Sequence, residues 1–240
     1  MKITRRAKLL VVALVLCFTA MIGSTVAWFT DSVESANNII TSGNLDMVVE
    51  YKTSVNGEWM PLTESVKLFK ENALYEPGYT EIIHFRVSNT GSLSFKYNFG
   101  IDVKSETTST NVAGEEFSLK DYLEVGCYIM DESLGQYLLG TIFGTRESAI
   151  SHINDVNGTG FQKLSALDGV IFKDRPLVKD ANFGPQLITL VLTMPETVGN
   201  EANHMTGVAA PSITLGVNVV ATQLVHENDS FGNDYDADAE

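Results

Sequence analysis

Histidines, cysteines and grouped carboxylates are the side chains that could hold a metal or move a proton, and this chain has few of them in useful arrangements. Its four histidines are His84, His152, His204 and His226. His226-Glu227-Asn228-Asp229-Ser230 begins like a zinc-protease helix. That helix needs a second histidine one turn after the first, so that both imidazoles reach one metal, and Ser230 stands in that place. Glu201-Ala202-Asn203-His204 has the Glu-x-x-His spacing of carboxylate-bridged metal sites, but such sites need two copies, so it reads as a loop. Gly158-Thr159-Gly160 falls short of a phosphate-binding loop, and no Gly-x-Ser-x-Gly elbow marks a nucleophile. The acidic stretch 227–240 lacks the spaced ligands and turn glycine of an EF-hand. Cys17 follows Leu16, where a lipidation signal requires a small residue. Beyond the N-terminal apolar run Cys127 is the lone thiol, so no intramolecular disulfide can form there. Its neighbours in "YLEVGCYIM" predict a buried, inert group. These types and spacings predict no catalytic residue, no metal and no cofactor.

The clearest chemical signal is a substrate for another enzyme. Lys2, Arg5, Arg6 and Lys8 precede an uncharged run from Leu9 to about Phe29. Basic residues, an apolar run and small residues at −3 and −1 make an export signal. Thr25 and Ala27 fit those two positions, placing cleavage between Ala27 and Trp28. The alternative is an uncleaved anchor, because the run approaches the ~20 residues that span a bilayer. Removal of residues 1–27 takes away four positive charges and no negative ones, leaving 213 residues at a formal charge of −18. A chain so acidic is repelled by nucleic acid and by anionic lipid. It touches a membrane only through the uncleaved signal. Its 213 residues suffice for one sizeable core.

The elements beyond the signal read as strands. In "SFKYNFGIDVK", Phe95, Tyr97, Phe99, Ile101 and Val103 alternate with Ser94, Lys96, Asn98, Asp102 and Lys104. "SITLGVNVVAT" and "EIIHFRVSN" alternate likewise, with Ile213 to Ala221 and Ile83, Phe85 and Val87 on the apolar faces. Leu45–Tyr51, Tyr122–Met130 and Gln186–Met194 are further candidates. One apolar and one polar face per strand predicts antiparallel sheets packed as a sandwich. Pro77-Gly78 and Asn89-Thr90-Gly91-Ser92 supply the turns. The pattern fades from Thr141 to Asp180, which reads as an insertion with a short helix at "TRESAISHI". The expected organisation is a signal peptide at 1–27, an N-terminal segment at 28–43, one all-β domain at 44–226 and an acidic, disordered tail at 227–240.

Several landmarks together resemble the TasA/camelysin family of exported proteins processed by a SipW-type signal peptidase. They are the junction "GSTVAWFTD", Gly43-Asn44-Leu45-Asp46 opening a strand, "YEPGYTEIIHFRVSNTGSLSFKYNFGIDV", and "TMPETVGNEANHMTG" followed by "ITLGVNVVATQ". Residues 105–180 carry little of the likeness. The resemblance implies a jelly-roll-like domain, secreted to the extracellular matrix or cell surface, that assembles with itself into biofilm matrix fibres. It also implies an alternative, a camelysin-type surface metalloprotease; a monomeric surface adhesin is a third reading.

Trp28 and Phe29 raise a question of their own, since they head a mostly polar segment punctuated by Val33, Ile39 and Ile40. Either the aromatics tuck into their own sandwich, or the segment leaves it and adds a strand to a neighbour. In the second case Trp28, Phe29, Val33, Ile39 and Ile40 are the expected donor residues of a head-to-tail homopolymer, with the domain's own first strand beginning at Leu45.

Overall fold

Residues 30–34, 45–71, 73–131, 135–155, 158–178 and 184–224 are described in the computed structural model of the chain, and antiparallel pairing organises them. A four-stranded sheet runs in the order β1 (Thr30–Glu34), β12 (Ser212–Gln223), β5 (Phe95–Thr107), β10 (Phe172–Leu177). A six-stranded sheet runs β3 (Met60–Pro61), β2 (Met47–Lys52), β4 (Thr80–Asn89), β11 (Gln186–Thr193), β8 (Glu124–Asp131), β9 (Gln162–Lys163). A small hairpin of β6 (Ser109–Thr110) and β7 (Glu116–Phe117) completes an all-β, jelly-roll-like sandwich.

Alternation builds the core as the sequence predicts. Phe95, Tyr97, Phe99 and Ile101 of β5 meet Ile83, Phe85 and Val87 of β4 between the sheets, all buried. Phe85 and Phe99 touch edge to face across the sandwich at 5.2 Å, and Phe99 stacks on Phe172 at 5.4 Å. The β4–β5 connection is held by Asn89, whose Nδ2 donates to the Leu93 carbonyl at 2.7 Å. Gly78, with φ +91°, closes the Pro77-Gly78 turn, a backbone conformation that glycine adopts without steric cost.

Helices cover the second face of the six-stranded sheet. α1 (Gly135–Ile142) and α2 (Arg146–Ile153) carry Leu139, Ile142, Ala149 and Ile153 onto Tyr128, Met130, Leu187 and Val191. β11 is therefore buried at every position, which accounts for its apolar run "LITLVL", interrupted only by Thr189. α2 is the helix expected at "TRESAISHI", and the Thr145 side chain caps it by accepting from the Ser148 N–H.

Two expectations need correction. The stretch 141–180 is not wholly an insertion. Helix α1 starts earlier, at Gly135, and Phe172–Leu177 is an edge strand of the sandwich itself. "FKDRPL" hides this because an edge strand tolerates charge and Pro176, which cannot serve a central ladder. The polar face of β5 is also not wet. Lys96 is only 7% exposed and Asn98 is buried. The chain before and at the start of β10 folds over them. Asn98 Oδ1 accepts from the Asp174 N–H at 2.9 Å, and Lys96 Nζ lies 3.4 Å from the Asp174 carboxylate. Gly100 is required under this cover, because a Cβ there would sit 1.8 Å from the Gly169 carbonyl oxygen.

Replacing Phe99 with Ala is expected to cost about 3–5 kcal/mol, as truncation of a buried aromatic does. Lys96→Ala, which alternation alone would rank as harmless, is expected to cost about 1–3 kcal/mol by emptying a buried position and unpairing Asp174. Urea unfolding of the two variants measures both, and a neutral Lys96→Ala would show that the cover adds nothing to stability.

Candidate functional site: the outer edge of the four-stranded sheet

The polar side chains that invite a chemical reading are used to build the sandwich. His84 projects from β4 toward the helices, 2% exposed, with Nδ1 2.8 Å from Thr189 Oγ1 and its ring edge-on to Phe143. Burial, and then the charge of Lys52, push its pKa down to about 4. Lys52 is its cross-strand neighbour and is 1% exposed. The Lys52 ammonium donates to the Val55 carbonyl at 2.8 Å and lies 4.7 Å from the Trp59 ring centre. Arg86 packs on the same indole at 5.0 Å and is ion-paired to Glu50 at 2.6 Å. Burial and then Arg86 hold the Lys52 ammonium below its ordinary pKa. Cys127 faces the inter-sheet core, and burial pushes its thiol well above the usual range. His152 lies on α2 against Ser148, and His204 forms an isolated bridge with Asn111. Among the described residues no three His, Cys, Asp or Glu side chains converge as a metal site would require.

Among the described residues, the feature left over is a strand edge. β12 spans twelve residues, all of them paired to β5 on one side. On the other side β1 covers only part of it, with Thr30 opposite Thr222, Val33 opposite Val219 and Glu34 opposite Asn218. Among the described residues nothing pairs with that side of Ser212–Val217. The uncovered stretch borders a groove of about 740 Å³. Its other wall is the connection between β3 and β4, with Val66, Leu68, Phe69 and Leu74 toward the opening. Leu74 is 77% exposed, the most exposed large apolar residue among those described.

A carboxylate fastens that wall. Glu81 accepts from the Tyr75 hydroxyl at 2.9 Å, the Tyr79 hydroxyl at 3.2 Å and the Lys70 N–H at 3.0 Å. Burial, reinforced by Glu81, drives the Tyr75 phenol far above its usual pKa, so it stays a proton donor to Glu81 at all physiological pH. Lys67, Lys70 and Lys104 stand around the groove beside Glu64 and Glu71.

Of the residues expected to act, only Val33 falls on the described chain, in β1. Thr25, Ala27, Trp28, Phe29, Ile39 and Ile40 lie outside the described residues. The expectation that the domain's first strand begins at Leu45 is corrected, since Thr30–Glu34 already pairs within the chain's own sheet. "TDSVE" has no apolar alternation, and an edge strand held by backbone bonds needs none. Sequence reasoning also missed the groove, whose apolar residues are drawn from a connection without period and from one end of β12. No protein-family model matches the chain, and neither does any curated protein.

The His84 shift sets a pH dependence with a definite sign. The imidazole is neutral in both states above its ordinary pKa of 6.5. As pH falls from 6.5 toward 4 the unfolded chain takes up a proton that the folded chain refuses, so stability is lost. The loss should approach about 3 kcal/mol and level off below pH 4. Melting temperatures of wild type and His84→Gln across pH 4–7 should converge toward the acid end, and parallel curves would contradict the assignment.

Proposed function

We propose that the chain is a secreted structural subunit that polymerises head to tail into extracellular matrix fibres. In this reading the N-terminal segment 28–43 of one subunit adds a strand to the sheet edge of the next. One observation carries it: the outer edge of β12 accepts a strand from that very segment, with Thr30–Glu34 paired to Asn218–Thr222. An exposed edge is a template for strand addition, with backbone hydrogen bonds giving affinity and side chains giving selectivity. Trp28, Phe29, Val33, Ile39 and Ile40 are the proposed anchors. Each aromatic can bury about 150–250 Å². A donor at one place and an acceptor at another make a heterologous contact, which propagates as a filament when its rotation does not close.

The junction sequence and the likeness to the TasA/camelysin family support the same reading. A SipW-type signal peptidase is the proposed processing partner, cutting between Ala27 and Trp28 and freeing aromatics that belong to the membrane-embedded run until then. No observation on the described residues favours a camelysin-type protease; stoichiometric zinc with chelator-sensitive casein cleavage would be its signature.

Two experiments test the proposal. Ala27→Phe should block processing, because the −1 pocket accepts only small side chains, and N-terminal sequencing of the secreted protein should return Trp28 first. Deletion of Trp28–Ser42 should leave a folded monomer, since β12 keeps its full ladder with β5. That monomer should form no fibres by electron microscopy. Fibres from the deletion variant would move assembly to another surface, and an unfolded variant would assign the segment to its own core.

A further inference from the structure

No Asp, Glu, Lys or Arg stands between Glu201 and Glu227, although the chain as a whole carries a formal charge of −14. Most of that stretch is β12, but residues 203–210 form a loop at the end of the sandwich that is exposed at every position. The loop lies against the β6–β7 hairpin, whose tip at 112–114 is exposed as well. Hydrogen bonds hold the two side by side. Met205 N–H donates to the Thr110 carbonyl at 2.8 Å, Val112 N–H to the Asn203 carbonyl at 3.1 Å, and Ser109 Oγ to the Ala209 carbonyl at 2.6 Å. Val112 is 52% exposed, Met205 37% and Val208 36%. Three of the seven large apolar residues exposed among those described thus fall on one pair of loops, which makes them a patch and not scattered singles.

We infer that this patch is a contact surface for a second copy of the chain, with the same two loops meeting across a two-fold axis. Charge selects the occupant. The chain has 30 Asp and Glu residues against 16 Lys and Arg. A basic partner gains more from those carboxylates than from loops that carry none. A partner that is itself acidic is repelled by them and closes only where they are missing. The chain is such a partner. The nearest charges, Glu115, Glu116 and Glu201, flank the loops and are all exposed, so they oppose the contact and salt relieves them. The loops have no aromatic residue and no Lys or Arg, the side chains with which a protein tip anchors in a membrane. The patch is small and the contact weak, but loops already held by hydrogen bonds cost little to order. This inference does not rest on the fibre reading. The patch lies beyond Thr107, where β5 finishes, whereas Thr30 of β1 pairs with Thr222 at the opposite end of the sheet.

The test uses the soluble secreted protein and crosslinks that report contact between copies. Val208→Cys places a thiol in the patch. Val178→Cys, at a position 44% exposed, places one next to Leu177, which pairs with Phe95 at the other end of β5. Cys127 is buried and does not compete. With a short bismaleimide, Val208→Cys should give covalent dimers about tenfold faster than Val178→Cys at equal concentration. Raising salt to about 0.5 M should increase its yield, because the flanking carboxylates are screened. Adding Met205→Glu to Val208→Cys should bring the rate down to that of Val178→Cys by setting like charges face to face, with no shift in melting temperature. Equal rates for the two thiols would overturn the inference, as would a rate that Met205→Glu leaves unchanged or a yield that falls with salt. Flotation on phosphatidylcholine vesicles that Met205→Glu abolishes would assign the patch to a membrane and overturn it likewise. All these readouts are taken without fibres, so a chain that dimerises through the patch and never polymerises would sink the fibre reading alone.

Discussion

The twelve-position ladder between β12 and β5 is the constraint on which the rest of the molecule depends. It joins the last strand of the described chain to the middle of the sequence, and it ends where Leu224 N–H donates to the Ser94 carbonyl. Both strands present alternate apolar residues to the inter-sheet core, so a one-residue slip would turn Phe99, Ile101, Val217 and Val219 out of it. With β12 and β5 fixed side by side, the sheet can grow only at two borders. β10 takes the border beside β5 and β1 takes the border beside β12. The place of β1 and β10 at the borders is thus a product of topology, set by which strands had to be central.

The two borders are finished differently. Beside β5, the chain carries Lys173, Asp174, Arg175 and Pro176 along the edge strand, and its approach folds back over Asn98 and Gly100. Charge, proline and a covering loop are the usual means by which proteins keep an edge from recruiting another chain. The six-stranded sheet ends in the two-residue strands β3 and β9, which offer little template. Among the described residues, only the β12 border runs beside an apolar groove, with a paired strand along five of its twelve positions. Among the described residues, three borders are blunted by charge, proline or short strands, and the β12 border is not.

Burial of both faces of the six-stranded sheet commits the polar groups on its helix-covered face to packing. His84, Thr189, Lys52 and Arg86 lie on the face that α1, α2 and the 52–59 turn cover. A buried lysine and histidine are tolerated there because the Lys52 ammonium and His84 Nδ1 each find an oxygen partner and the indole of Trp59 receives the cations. The consequence is electrostatic: the imidazole stays neutral down to about pH 4 and behaves as a shaped spacer with one hydrogen bond. Groups whose residue types could suggest chemistry are committed to holding the helices on the sheet.

The sequence by itself determined the class of fold and the inward faces of the long strands. Period-two alternation in Phe95–Ile101, Ile83–Val87 and Ile213–Ala221 is a local property, and the core that resulted uses those residues. It also determined α2, where a capping threonine precedes a short polar helix. Tertiary structure decided what happens on the outward faces and at the borders. Lys96 and Asn98 are polar in a strand pattern, and only the return of residues 169–174 makes them interior. Phe172–Leu177 and Thr30–Glu34 are strands because a neighbouring backbone offers hydrogen bonds, and that offer leaves no mark on side-chain periodicity. The groove beside β12 belongs to this second kind. Its walls come from residues about 140 positions apart, so the apolar opening exists only once the sheets have brought those segments together.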